Sequence, residues 1–150
     1  MSRFSFIFIG SFTLLISIFS FLNIIYSYYL NLFLNIDIYF IIFLSTLIVG
    51  LFLIFFKQIH FNKINIFEKI FTVILGYLFF PLIISIPFYF SIENISYLNS
   101  YFEAISGFTS TGFSIFDNIK QLDQSLIIWR SSSQWIGGLY FLFSLLLLID

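Results

Sequence analysis

The sequence has no cysteine, one histidine and two prolines, and only 9% of its 150 residues are charged. Without cysteine there can be no disulfide frame, no thiolate metal site and no cysteine nucleophile. The one histidine, His60, sits among lysines with no acidic or cysteine partner near it, which fits a solvated loop residue better than a metal ligand. No Ser-His-Asp set, glycine-rich phosphate loop or carboxylate dyad is present, so enzyme chemistry has no support and no cofactor is expected. A net charge of −1 gives no sign of a nucleic-acid partner. Charge itself is the scarcest commodity. Soluble domains carry about 25% charged residues, whereas this chain is 61% hydrophobic with a mean hydropathy of +1.09. A water-soluble fold would have too few polar residues to cover its surface, so the chain reads as an integral membrane protein in contact with the lipid bilayer.

Four apolar runs are long enough to cross a bilayer, which needs about 20 residues. The first covers residues 4–29, behind Arg3. It is too long for a signal-peptide core and no small-x-small cleavage site follows it. Tyr26, Tyr28 and Tyr29 suit an interfacial aromatic belt. A short turn at residues 31–37 leads to a second run at 38–56. The basic loop at 57–69 holds Lys57, Lys63 and Lys69 against one acid, Glu68. The third run, 70–90, is interrupted by Gly76, Pro81 and Pro87, and Pro81 is expected to bend the helix or free a carbonyl. The last run, 126–149, opens with Trp129-Arg130 and carries Gly137-Gly138.

Charge sets the expected orientation. Arg3 and the three lysines of the basic loop mark the cytoplasmic side, so the N-terminus is expected there. The segment from Glu93 to Asp123 then falls outside. Within it lies Phe102-Glu103-Ala104-Ile105-Ser106-Gly107-Phe108-Thr109-Ser110-Thr111-Gly112-Phe113. This stretch is too short and too polar to span, and too apolar for an ordinary surface loop. It reads as a re-entrant half-helix followed by an irregular segment. Non-helical backbone at membrane depth is tolerated only where protein buries it or where it lines a watery cavity.

Asn99 and Ser100 are good N-cap residues for a helix starting near Tyr101 and ending near Phe108. Its partially negative C-terminal end would point at Thr109 and favour a cation there. Carbonyls of Thr109, Ser110 and Thr111 can replace a cation's hydration shell. Gly112 permits a backbone angle that a β-carbon resists. A simpler reading treats the four residues as a helix C-cap and turn between two spans, and the pattern alone leaves both open.

Glu103 lies within the half-helix, where a carboxylate needs a partner. It can brace the loop through backbone, through another helix, or through a structural hydrogen bond with no further role. Arg130 can pair with Glu103 or Asp123, pair with an acid beyond this chain, or snorkel to the interface. Gln134 and Gly138 follow Arg130 at helical spacing, so these three are expected on one face against the half-helix, with Gly137 and Gly138 allowing close approach.

With Trp129-Arg130-Ser131 and Gln134-Trp135-Ile136-Gly137-Gly138 added to residues 102–112, the pattern resembles the first pore repeat of the Trk/Ktr/HKT superfamily, TrkH type above all. The resemblance implies an all-α polytopic membrane protein, with about four transmembrane helices plus one re-entrant pore helix and filter loop. It implies two leading transmembrane helices at 1–66 and the first helix–pore loop–helix repeat at 67–150, with further repeats expected beyond this chain. The chain is thus expected to be an N-terminal fragment of a longer transporter. Thr109, Ser110, Thr111 and Gly112, extending to Phe113, would form the ion-binding filter, with potassium at the backbone carbonyls. Glu103, Arg130 and Gln134 would support it.

The implied function is potassium uptake, with potassium or sodium as the ion. The implied location is the bacterial inner membrane, and the implied partner is a cytosolic nucleotide-binding ring of the TrkA/KtrA type. A homodimer of the full-length protein is also in keeping. Ser110 stands where threonine is usual, and bulky Phe113 where a small residue is usual. Ser132 and Ser133 replace a Leu-Thr pair, and Leu139-Tyr140 replaces Met-Gly. The alternative from another class is a small structural subunit of a membrane complex with no pore.

Overall fold

The structure, a computed structural model, describes residues 3–55 and 65–149. Among them are five α-helices and no β-strand: α1 (Arg3–Tyr29), α2 (Ile36–Phe55), α3 (Ile66–Ser91), α4 (Tyr97–Phe108) and α5 (Gln124–Ile149). Short 3-10 turns precede α2 and α5, at Phe33–Asn35 and Ile119–Gln121. Four helices, all but α4, are long and apolar enough to cross a membrane. Their outward side chains, such as Phe21, Ile41, Phe52 and Leu146, are apolar and exposed, as lipid contact requires. Lys57, His60 and Lys63 lie outside the described residues. Glu68 and Lys69 belong to α3 itself, which starts four residues earlier than the hydropathy suggests.

The inward faces explain the packing. Helix α1 presents a small, polar stripe to α2, along which Ser17 and Ser20 donate to the carbonyls of Phe43 (3.2 Å) and Tyr39 (2.7 Å). Its apolar face, Phe8, Phe12 and Ile16, enters the core. There the Tyr140 ring meets Phe12 at 4.9 Å, Tyr77 at 5.0 Å, Phe80 at 5.3 Å and Phe108 at 5.5 Å. One α5 residue thereby joins α1, α3 and α4. Part of the aromatic abundance thus builds the interior, while the rest faces outward.

The two ends of the bundle are fixed by polar contacts. At one end Thr72 donates to Ser5 at 2.8 Å. At the other, Asn23 donates to the Ser125 carbonyl at 3.2 Å and Asn35 to the Ser125 hydroxyl at 3.2 Å. The start of α5 therefore sits beside the α1–α2 turn, and the start of α3 beside the start of α1. Helix α3 runs on through Pro81 and Pro87. Each proline removes one donor, normally aimed four residues back. Side-chain donors arrive one position along from those carbonyls: Tyr101 reaches Leu78 at 3.3 Å and Trp129 reaches Ile84 at 2.9 Å.

Candidate ion-facing loop

Helix α4 begins at an N-cap one turn earlier than the expected Tyr101. Ser96, not Asn99 or Ser100, is the cap, and its hydroxyl accepts from the Asn99 amide at 3.2 Å. Ser100 is buried within the first turn, where its hydroxyl donates to the Ser96 carbonyl at 3.2 Å. At 12 residues, α4 is roughly 18 Å long at 1.5 Å per residue, well short of the roughly 30 Å hydrocarbon core. It ends at Phe108, as expected. The Phe108 carbonyl lies against Gly137, where any β-carbon would overlap it. Gly137 stands about halfway along α5, roughly 20 Å from its start. The C-terminal end of α4 is therefore at mid-depth of the bundle.

The chain leaves α4 through a Schellman turn. Ser110 adopts φ +56°. Its amide donates to the Gly107 carbonyl at 2.9 Å, and the Thr111 amide to the Ser106 carbonyl at 3.1 Å. A β-branched residue at positive φ is a genuine outlier, so serine suits this position better than threonine. Gly112 adopts φ +79°, the angle expected of it. Among the described residues, the carbonyls of Thr109, Ser110, Thr111 and Gly112 accept no hydrogen bond. All four residues are exposed on one side of the bundle. Phe113 differs. The residue is 70% exposed, but its carbonyl is turned inward to accept from Ser106 and Arg130.

Glu103 and Arg130 meet. The Glu103 carboxylate is fully buried and accepts from Arg130 Nε at 2.5 Å, from the Ser114 hydroxyl at 3.0 and 3.1 Å, and from the Ile115 amide at 3.1 Å. One Arg130 terminal nitrogen donates to the Phe113 carbonyl at 3.3 Å. The pair thus clamps the segment after Gly112 to both α4 and α5. Asp123 takes no part. It accepts from the Ser125 amide at 2.8 Å and from the Ser125 hydroxyl, capping α5.

The expected Arg130–Gln134–Gly138 face separates. Arg130, Ser133 and Gly137 pack toward α4, with the Ser133 hydroxyl close to Gly107. Gln134 and Gly138 instead line an outward groove with Ser131, Trp135, Leu139 and Leu142. A β-carbon on Gly138 would meet nothing, so only Gly137 serves close approach. Three residues to which the sequence assigned no role complete the site. They are Ser106, Ser114 and Ser133, and nothing distinguishes a bracing serine from any other in a single sequence.

Comparison with known proteins supports the family likeness over part of the chain. An uncharacterized cation transporter of Methanocaldococcus jannaschii is 41% identical over 64 residues, 43% of this chain. The Trk system potassium uptake protein TrkI of Halomonas elongata is 36% identical over 55 residues, 37% of the chain. The Trk system potassium uptake protein TrkG of Escherichia coli is 29% identical over 68 residues, 45% of the chain. The chain covers 14%, 11% and 14% of those proteins' lengths, respectively. No protein-family profile matches the chain, and no solved structure matches it. Over the matched segments the chain is a homologue of Trk potassium uptake proteins and of a cation transporter.

Proposed function

We propose that this Trk-related chain contributes one strand of a potassium-selective filter, with residues 109–112 facing the ion. The observation that carries this reading is the loop itself. Among the described residues, four successive carbonyls are left without hydrogen bonds at the mid-depth end of a half-helix. In a membrane interior such groups need a partner, and a dehydrated cation supplies one. The partial negative charge at the end of α4 acts in the same direction. One loop offers one side of an ion's shell, so three further loops are needed around the axis. These belong to the longer protein of which this chain is the N-terminal part, with α1 and α2 leading and α3 to α5 forming the first repeat.

In this reading Glu103 and Arg130 hold the loop's outer limb, and Gln134 faces the groove open to neighbouring repeats. The chain does no covalent chemistry. Its place is the bacterial inner membrane with the N-terminus cytoplasmic. A cytosolic nucleotide-binding ring of TrkA/KtrA type and a second copy of the full-length protein are the proposed partners.

The Schellman cap also suits the competing reading, in which residues 109–112 are only a turn in a structural subunit. The two differ at Gly112. With φ at +79°, a serine there strains the loop whatever the space around it. In the full-length protein, Gly112→Ser is expected to lower potassium uptake relative to sodium uptake. An unchanged ratio, with bulky residues tolerated at residues 109–112, would favour the turn.

A further inference from the structure

The Ser106 hydroxyl stands at the centre of the loop. Ser106 is 3% exposed and lies in the last turn of α4. Its hydroxyl donates to the Phe113 carbonyl at 2.6 Å, the shortest bond made by any residue of the loop. With its one proton spent there, it accepts from the Thr111 hydroxyl at 3.1 Å. The Ser106 carbonyl meanwhile receives the Thr111 amide at 3.1 Å. One residue therefore holds the loop at its middle and at its far end.

The consequence concerns which oxygens are left over. Residues 109–113 offer five backbone carbonyls, and only the fifth is withdrawn from the exposed side. Arg130 also reaches it, at 3.3 Å, but Ser106 makes the shorter bond. Without the hydroxyl, the Phe113 carbonyl keeps only that longer bond of its own and is freer to swing outward beside the other four, while Glu103 still holds Ser114 and Ile115 behind it. A filter's preference depends on the number and placement of its oxygens. We propose that Ser106 is a positioning residue that sets the coordinating segment at residues 109–112 and excludes Phe113. This deepens the proposed function and rests on it for the ion, but not for the shape of the loop.

Two measurements separate these parts. The first uses this chain in lipid nanodiscs, with the carbon-13 carbonyl signal of Phe113 as readout. Ser106→Ala is expected to move that signal upfield, as loss of a short hydrogen bond does, while Ser106→Thr, which keeps the hydroxyl, leaves it in place. An unmoved signal in the alanine variant would overturn the proposal.

The second measures potassium and sodium uptake by the full-length protein. Ser106→Ala is expected to lower the potassium-to-sodium ratio several-fold, and Ser106→Thr to restore it. A shifted carbonyl with an unchanged ratio would reduce Ser106 to a strut and overturn its part in selectivity. Absence of any wild-type uptake would instead overturn the proposed function, and the carbonyl signal would still decide whether Ser106 shapes the loop.

Discussion

At the scale of single residues, the Glu103–Arg130 pair is the most consequential contact. Both groups are buried, Glu103 completely, so each depends on the other. Removing one member of such a pair is far more damaging than replacing both, because it strands a charge. Arg130→Met is therefore expected to destabilise the protein by about 3–5 kcal/mol. Adding Glu103→Gln should return part of that loss. Denaturant unfolding in detergent of the two single variants and the double variant checks it, and simple additivity would contradict the coupling. The sequence made this pairing one of four options for Arg130. It could not choose, because helical spacing says which residues share a face but not which acid of another element lies opposite. Asp123, the nearer acid in sequence, is occupied as the cap of α5. Gly112 was legible because a missing side chain signals an unusual backbone. Ser110, at φ +56°, carried no such signal.

At the scale of elements, the contact of α4 with α5 decides where the loop sits. Gly137 lets the end of α4 lie directly on α5, and its neighbour Gly138 faces open space. Gly137→Ala is expected to cost about 1–3 kcal/mol by overpacking and to lower the unfolding temperature. Gly138→Ala should be neutral or gain up to about 1 kcal/mol from helix propensity. Thermal unfolding of the two variants side by side tests the assignment, and equal effects would contradict it. The four long helices were readable from hydropathy to within a turn, since apolar length is what a bilayer selects. Finer choices were not. Ser96, Asn99 and Ser100 are all competent caps, and only the fold fixes the first as the start of α4. Likewise, a Gly-Gly pair points to close packing without saying which of the two is used, because consecutive residues of a helix lie about 100° apart around its axis.

At the scale of the whole molecule, the bundle is arranged to bring a half-helix to mid-depth and leave one loop exposed on a side face. Helices α1, α3 and α5 converge on Tyr140, which also touches Phe108, the last residue of α4. The rigid centre of the protein thus lies immediately behind the loop. The central claim is that this loop faces an ion, and the most direct test locates one. Thallium, which stands in for potassium and scatters X-rays anomalously, can be introduced into crystals of the assembled full-length protein. The account predicts anomalous peaks facing the carbonyls of Thr109, Ser110, Thr111 and Gly112, with none at the inward-turned carbonyl of Phe113. Thallium bound elsewhere in the membrane region, with no peak at these four carbonyls, would contradict it.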